Sequence, residues 1–419
     1  MTARSVRTIT TCRSCGGALA VPFCDLGDQP VANDFVSPAR AGEPDARYRL
    51  RVMVCADCRL AQLDTIVDAS TIFSDYAYLS SVSTSWLAHA RQASLALGDR
   101  LGLGPSSFVV EVASNDGYML RNFVAAGIPC LGIEPAANVA QRAEAAGVPT
   151  LVRFFGVATA AEVLALHRPA DLVIANNVLA HVPDVNDFVG GLAALLAPQG
   201  LLAIESPHLV RLAEGLQFDT IYHEHYAYWS LMAMESLLGR HGLAVVDLAV
   251  LPTHGGSLRV MAMRAGAAPP PSPAVLAVRA EEARLGLDGD AWYAGFGPRI
   301  GAVIAALRDH LAAARALGAT VAAYGAAAKG NTFLNAAGLG PADIVAVADA
   351  NPLKIGTLLP GSRIPVVSPD ALAALRPDAV LVLPWNIAEE IGGVLAWLGL
   401  AGRQLITAIP RLSVRDIGA

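Results

Sequence analysis

Two Cys-x-x-Cys pairs near the start constrain this chain before anything else does. Cys12 and Cys15 form the first pair, Cys55 and Cys58 the second, and 39 residues lie between them. Each pair can place two thiolates on one cation, and two such knuckles complete the tetrahedral four-sulfur set that Zn²⁺ favours. With all four positions filled by thiolate no site is left for a reactive water, so the ion is expected to be structural. A redox duty is the competing reading, but neither pair opens a recognisable βαβ unit. Cys24 and Cys130 are left over, and burial as small apolar side chains is their ordinary role. Short β-like runs such as Tyr48 to Val54, with little helical periodicity, predict a metal-stapled module over residues 1–70.

A chain of 419 residues exceeds one ordinary hydrophobic core, which predicts two or three domains. Hydrophobic residues make up 54% of it and mean hydropathy is +0.46, values that raise the question of a membrane. The excess is scattered Ala, Leu and Val. The longest apolar stretch, Phe188 to Ile204, is interrupted by Pro198, Gln199 and Gly200 and is too short to span comfortably, so it predicts a helix, a turn and a buried strand. No membrane partner is expected. The start, MTARSVRTITTCRSC, has no apolar core of a secretory signal, which makes the cytoplasm the expected compartment. A net charge of −6 and a pI near 5.8 supply no basic field for phosphate backbones, and nucleic acid is excluded as a partner.

Over residues 71–265, strand-like runs alternate with Ala-rich helical stretches: Phe108 to Ala113, Pro129 to Ile133, Leu172 to Ala175, Leu201 to Glu205 and Leu258 to Met263. Such alternation predicts an α/β fold, a mostly parallel, doubly wound sheet with helices on both faces. The stretch AGAAPPPSPAV, Ala265 to Val275, can continue neither a helix nor a central strand and reads as a linker. Beyond it a helical segment, Val275 to Ala316, leads to strands at Thr320 to Tyr324, Ile344 to Ala348 and Ala379 to Leu383. Residues 266–419 are thus expected to form the linker helix and a second, Rossmann-like α/β domain.

The run FVVEVASNDGYML begins as a buried strand, turns tightly at Gly117 and continues as a helix. A strand-turn-helix of this kind brings backbone N–H groups and a helix N-terminus to a ligand at the carboxyl edge of a sheet. The second and third glycines of GxGxxG are missing, which argues against a dinucleotide. Glu111 with Asn115, Asp116 and Gly117 fits better the acidic-strand and glycine-turn pattern of methyltransferases. Twenty-three residues after Glu111, LGIEP puts Glu134 at the end of the second strand, from which a carboxylate can accept from two ribose hydroxyls. The bland alternative keeps Glu111 as a structural carboxylate and Glu134 as a turn residue. The fourth strand reads ADLVIANNVLAHVPD; its NNVLAHV, opened by Asn176, is of the small-molecule methyltransferase sort, unlike the D/N-P-P-Y/F motif of nucleic acid amino-methyltransferases.

Farther on, Tyr222, His223, Glu224, His225, Tyr226 and Tyr228 crowd into seven positions. Titratable side chains at such density are costly to bury unless hydrogen-bonded, which marks a candidate reacting centre, with about half of them expected only to support their neighbours. In the C-terminal block, VAAYGAAAKGNTFLN places Lys329 before Gly330, the reverse of a Walker A loop, and no Ser or Thr follows in the magnesium-binding place. ATP hydrolysis is therefore not expected. Lys329 and a helix N-terminus could instead hold a diphosphate, or Lys329 could be a solvated cap. Asp349 and Asn351 of VADANPLKIG occupy the acidic second-strand position without a readable role.

CRSCGG…CADC, EVASNDGY, NNVLAHV, YHEHYAYWS, THGGSLRV and YGAAAKGN, in this order and over nearly the whole chain, resemble the S-adenosylmethionine-dependent C-methyltransferases of nucleotide-linked deoxysugars in antibiotic biosynthesis. The resemblance is to the C-3′-methyltransferases of dTDP-linked 3-amino-4-keto sugars, such as the tetronitrose precursor. It implies a central class I methyltransferase sheet, S-adenosylmethionine as cofactor beside the zinc, and a dTDP-linked ketosugar as partner, on a chain expected to be monomeric. It implies too that Glu224, His181 and Tyr76 lie near the sugar. The chemistry that follows is removal of a proton α to the C-4′ ketone. His225 is the first choice of base, because imidazole titrates near operating pH. Tyr222 would share its face if this stretch is helical and would donate to the enolate oxygen or relay the proton, and the two roles are exchangeable. O- or N-methylation of a nucleotide-sugar, an inactive nucleotide-sugar-binding scaffold and an NAD-dependent oxidoreductase are the alternatives. The intact Glu111, Gly117 and Glu134 speak against the scaffold, and the lack of GxGxxG against the oxidoreductase.

Overall fold

The computed structural model of the chain describes residues 5–68 and 79–418. Near the N-terminus, Leu19–Pro30 and Arg47–Cys55 pair antiparallel and Ala61–Leu63 extends the sheet. The fourth strand, Ala227–Tyr228, arrives from the middle of the chain and pairs antiparallel with Ala61–Leu63. Val52, Val54, Leu63, Tyr226 and Tyr228 belong to one buried apolar cluster, so this sheet is packed together with the segment of the polar cluster.

The central sheet has seven strands in the order Leu243–Leu251, Ser257–Arg264, Leu196–Pro207, Ala170–Asn176, Val109–Val112, Cys130–Ile133 and Thr150–Leu151. Ser257–Arg264 runs antiparallel to both its neighbours and the other pairings are parallel. This is the class I methyltransferase arrangement. All four residues of Val109–Val112 are buried, as a strand covered by helices on both faces requires. The apolar stretch from Phe188 resolves as a helix and a buried strand, with an irregularity of the strand at Pro198 to Gly200 in place of the expected turn. Helix Val185–Leu195, capped by the Asp184 carboxylate, runs into strand Leu196–Pro207, whose register shifts between Leu196 and Leu201. Among the described residues no helix is long and apolar enough to cross a membrane.

The helical segment after the linker is three helices rather than one: Pro273–Leu285, Ala291–Ala294 and Phe296–Ala316. Gly286, at φ +80°, ends the first in a left-handed cap. A second doubly wound sheet follows in the order Val366–Val367, Val347–Ala348, Val321–Tyr324, Ala379–Val382, Gln404–Thr407 and Ser413–Asp416. The strand expected from Ile344 is confined to Val347–Ala348, because the Ile344 N–H is taken by Gly340 O at 3.0 Å in the preceding turn. Each parallel sheet has one topological switch point, between Val109–Val112 and Ala170–Asn176 and between Val321–Tyr324 and Ala379–Val382. Ligands of open α/β sheets bind in the crevice at the carboxyl ends there.

Candidate active site and metal centre

The two knuckles close on each other. The four sulfurs of Cys12, Cys15, Cys55 and Cys58 all lie within 4.8 Å of one another. Backbone N–H groups of Ser14, Gly17 and Asp57 donate to Cys12, Cys15 and Cys55 at 3.3, 3.4 and 3.4 Å, and Gln62 Nε2 donates to Cys12 at 3.0 Å. Donors aimed at sulfur favour the thiolate, the metal-binding form. A hydrogen bond from Cys58, helped by Gln62 and the Ser14 N–H, lowers the Cys12 thiol against the opposing effect of burial. Gly17 sits tight against the second knuckle: a Cβ there would stand 2.1 Å from Asp57 Oδ2, which would have to turn aside, and 3.2 Å from Cys55 Sγ. The residues fit a zinc ion with no open coordination position. Cys24 and Cys130 are buried elsewhere, and burial raises both thiols.

At the central switch point the turn after Val109–Val112 is contorted, with Ala113 at φ +55°, Asn115 at +50° and Gly117 at +74°. A Cβ on Gly117 would approach Val148 Cγ2 to 2.8 Å, so glycine is required there for space as well as for backbone conformation. Glu134, one residue past Cys130–Ile133, accepts from Asn115 N at 3.0 Å on one oxygen and Ala136 N at 2.9 Å on the other. Each oxygen keeps a lone pair, the capacity a ribose diol needs. Ser80 N and Ser81 N donate to the side chains of Asn115 and Asp116 at 2.9 and 3.1 Å, tying the segment before helix Thr84–Leu101 to the turn. Glu111 is fully buried and neither carboxylate oxygen has a hydrogen-bond partner among the described residues; nor has Asp116 Oδ1. Burial, opposed by the nearby Tyr118 hydroxyl and reinforced by Glu134 and Asp116, pushes the Glu111 carboxyl well above its usual range. Asn176 closes the other side at the end of Ala170–Asn176, its amide donating to Met119 Sδ at 3.1 Å. Orphaned buried acceptors around a tight glycine turn fit a ligand that brings ammonium and hydroxyl donors, as S-adenosylmethionine does.

The polar cluster is not helical. His225 N donates to Tyr222 O at 2.9 Å in a turn that leads into Ala227–Tyr228. The turn still stacks the two rings, with centroids 4.0 Å apart. His225 Nδ1 lies 2.8 Å from Thr220 O and His225 Nε2 lies 2.8 Å from Tyr222 Oη. A carbonyl only accepts, so Nδ1 carries the proton and Nε2 is the bare acceptor that takes the Tyr222 hydroxyl hydrogen. Burial, then the His181 ring with its centroid 4.6 Å away, pushes the His225 pKa well below the usual value. Burial lowers His181 to about 4. His181 sits in the 3₁₀ turn Leu179–His181 rather than at the strand end. Glu224 is buried and accepts from Asn33 Nδ2 at 2.7 Å. His223 bonds Tyr48 O at 3.2 Å and Tyr226 Oη donates to Val67 O at 2.5 Å, contacts that bind the loop to the N-terminal module. Tyr76 lies outside the described residues.

The C-terminal sheet reaches the same place. Lys329, in the first turn of helix Ala328–Ala336, holds its ammonium 6.0 Å from the centre of the Trp385 ring. Trp385, three residues past Ala379–Val382, donates through Nε1 to Asp219 Oδ2 at 3.0 Å. Burial raises the Asp219 carboxyl and Lys329 opposes the rise, while Lys329 also lowers His225 after burial and His181. Gly325, at φ +97°, and Gly330 let strand and helix approach, since their Cβ atoms would fall 2.4 Å from Pro384 Cδ and 2.7 Å from Leu383 Cδ1. Asp349 is occupied locally, by Asn351 N at 2.8 Å and Lys354 Nζ at 3.4 Å.

Set beside known proteins, residues 12–73 match the family described as "Putative zinc binding domain", 86–248 the "Methyltransferase domain" and 252–410 the "C-methyltransferase C-terminal domain". The C-methyltransferase NovU of Streptomyces niveus is 38% identical over 386 residues, 92% of this chain and 92% of its own. The chain belongs to the S-adenosylmethionine-dependent sugar C-methyltransferase family. Solved structures of magnesium protoporphyrin IX methyltransferase from Synechocystis PCC 6803 and of 1,6-didemethyltoxoflavin-N1-methyltransferase from Burkholderia thailandensis align over 42% of this chain. They cover 79% and 77% of their own lengths, at 16% and 19% identity and TM-scores of 0.31 and 0.32, similarity too low to speak about this chain's substrate.

For a sugar C-methyltransferase, two groups around the cleft went unread in the sequence. Asn33 meets Glu224 from 191 residues away, and the LGDQPVAND segment that carries it has no signal of its own. Glu205, fully buried at the end of the central sheet, accepts from Arg259 Nη2 at 2.7 Å, His89 Nε2 at 3.0 Å and Thr253 Oγ1 at 3.1 Å. His89 stacks on Trp86, which also lies 5.0 Å from the His254 ring. THGGSLRV carried Thr253, His254 and Arg259 in plain sight, but only the fold shows that they converge on Glu205.

Proposed function

We propose that this methyltransferase transfers a methyl group to C-3′ of a dTDP-linked 3-amino-4-keto-deoxysugar, in a chain whose working units are residues 1–70, 71–265 and 266–419. The observation that carries the reading is the Tyr222–His225 pair, its proton placement set by Thr220 O, packed against the His181 ring just past the strand that ends at Asn176 and within electrostatic reach of Lys329. Glu111, Asn115, Asp116, Gly117, Glu134 and Asn176 would hold S-adenosylmethionine, which supplies an electrophilic methyl group when bound. His225 Nε2 takes a proton, directly from the carbon beside the ketone or through the Tyr222 hydroxyl that already points at it. In the direct case Tyr222 turns its hydroxyl to the enolate oxygen; in the relay His225 draws the phenolic proton as Tyr222 takes the one on carbon. Burial keeps the imidazole neutral and ready in either case. Glu224, steadied by Asn33, and His181 orient the sugar, a role that family resemblance extends to Tyr76. Lys329 on its helix N-terminus meets the diphosphate, where a point charge and backbone N–H groups act together.

Incubation with S-adenosylmethionine and a dTDP-4-keto-3-amino-deoxysugar in deuterated water, read by mass spectrometry and NMR, tests the reading. A new C-methyl group beside the ketone, lost in Tyr222→Phe and His225→Ala, is the expected result. Cofactor binding without carbon methylation of that sugar overturns it.

A further inference from the structure

The residue that follows the first metal-binding thiol does something no ligand does. Arg13 turns its guanidinium away from the sulfurs and into the protein. Its Nη1 donates to Val182 O at 2.7 Å and Pro183 O at 2.9 Å, and its Nη2 donates to Tyr226 O at 2.7 Å. Val182 follows His181 and Tyr226 follows His225, so one side chain grips the backbone next to both imidazoles. The guanidinium also lies 5.7 Å from the Tyr226 ring centre. Tyr226 N donates to Ala180 O at 2.7 Å, which joins the same two segments directly.

The grip is itself held by the knuckle. Arg13 N donates to Gln62 Oε1 at 3.1 Å, and the amide of the same Gln62 donates to Cys12 Sγ at 3.0 Å. Asn186 Nδ2 donates to Arg13 O and Ser14 O at 2.8 and 2.9 Å. No carboxylate is hydrogen-bonded to the guanidinium among the described residues. The guanidinium is half-buried and Cys12 is its strongest favourable electrostatic partner, on the side where a divalent ion bound by four thiolates would carry a net charge of about −2. The metal centre, Arg13 and the two imidazole-bearing segments form one continuous set of contacts.

We propose that Arg13 is a positioning residue through which the zinc site sets the relative placement of His181 and His225, so that an intact metal centre is needed for turnover and not for cofactor binding. A rigid bidentate fork can hold two backbones at once, which an ammonium on a flexible stem cannot. The proposal rests on the reading of Tyr222 and His225 as the reacting pair, and its test therefore includes measurements made without any sugar.

Arg13→Ala and Arg13→Lys are compared with the parent as zinc-loaded full-length chains. Zinc content, S-adenosylmethionine affinity, amide hydrogen exchange of the segments 178–186 and 220–228, and kcat with and without added guanidinium are measured. The expected Arg13→Ala protein keeps one zinc per chain and binds S-adenosylmethionine within about threefold of the parent, while both segments exchange at least about tenfold faster. Its kcat falls about 10- to 100-fold at little-changed KM and recovers in part with free guanidinium, and Arg13→Lys lies between. Unchanged exchange in the two segments overturns the proposal, as does loss of zinc in Arg13→Lys, which would make Arg13 a support of the metal site alone. Faster exchange with retained zinc in a chain that fails to methylate the ketosugar upholds the positioning and leaves only the substrate reading refuted.

Discussion

The central and C-terminal sheets follow one chain path and carry opposite charge at their switch points. Both place a contorted turn and a helix at the carboxyl end of the first strand, with glycines where a Cβ would collide with the neighbouring structure. Around the central turn stand Glu111, Asp116 and Glu134, all buried. Around the C-terminal turn stands Lys329 over Trp385, and the acid in the place matching Glu134, Asp349, is already engaged by Lys354. The backbone device is common to both, and a handful of side chains makes one turn acidic and the other basic.

That division can be broken at four points, of decreasing effect. Replacing the pair tests whether chemistry is separate from both cradles: His225→Ala is expected to lower kcat by about 10²- to 10⁴-fold while equilibrium binding of S-adenosylmethionine, followed by calorimetry, stays put. Removing the central acid, Glu134→Ala, is expected to weaken S-adenosylmethionine by about 10- to 100-fold, the worth of a hydrogen-bonded charged group, and to leave the nucleotide-sugar KM nearly unchanged. A mirror result belongs to Lys329→Met: nucleotide-sugar KM up about tenfold, S-adenosylmethionine affinity intact. Should either variant weaken both ligands equally, the two cradles are not distinct. The smallest effect concerns pH. His225 is held well below 6.5 and His181 at about 4, so kcat/KM is expected to change by less than about twofold from pH 8 to 6.5. The sign for stability is opposite to that of a salt-bridged histidine. The unfolded chain takes up these protons first, so the contribution is complete above 6.5 and is lost as pH falls from there through about 4, read as a Tm that drops on acidification.

Local signals in the sequence translated well into structure. Cys12 to Cys58 and the Glu111 to Glu134 spacing describe neighbours along short stretches of chain, and spacing alone carries their geometry. The Tyr222–His225 contact was legible for a partly mistaken reason: a helix was expected to align the rings, and a turn does so instead. What stayed hidden depends on distant partners. Asn33 reaches Glu224 and Arg13 reaches Val182 and Tyr226, while Thr220 O, though near in sequence, meets the His225 proton only through the turn between them; none of these leaves a periodic or compositional trace. The break at Gly286 was readable in principle as a left-handed helix stop and was passed over inside an Ala-rich run.

The small strand Ala227–Tyr228 has a consequence for how the chain is born. Its partner Ala61–Leu63 leaves the ribosome about 165 residues earlier, roughly 8 to 33 seconds at ordinary rates of synthesis. During that interval the strand beside the metal knuckles has an open edge, a template for mispairing with other nascent chains. When residue 228 emerges, the stretch that shields this edge is the one bearing Tyr222 and His225, so sealing the edge and placing these two side chains are one event.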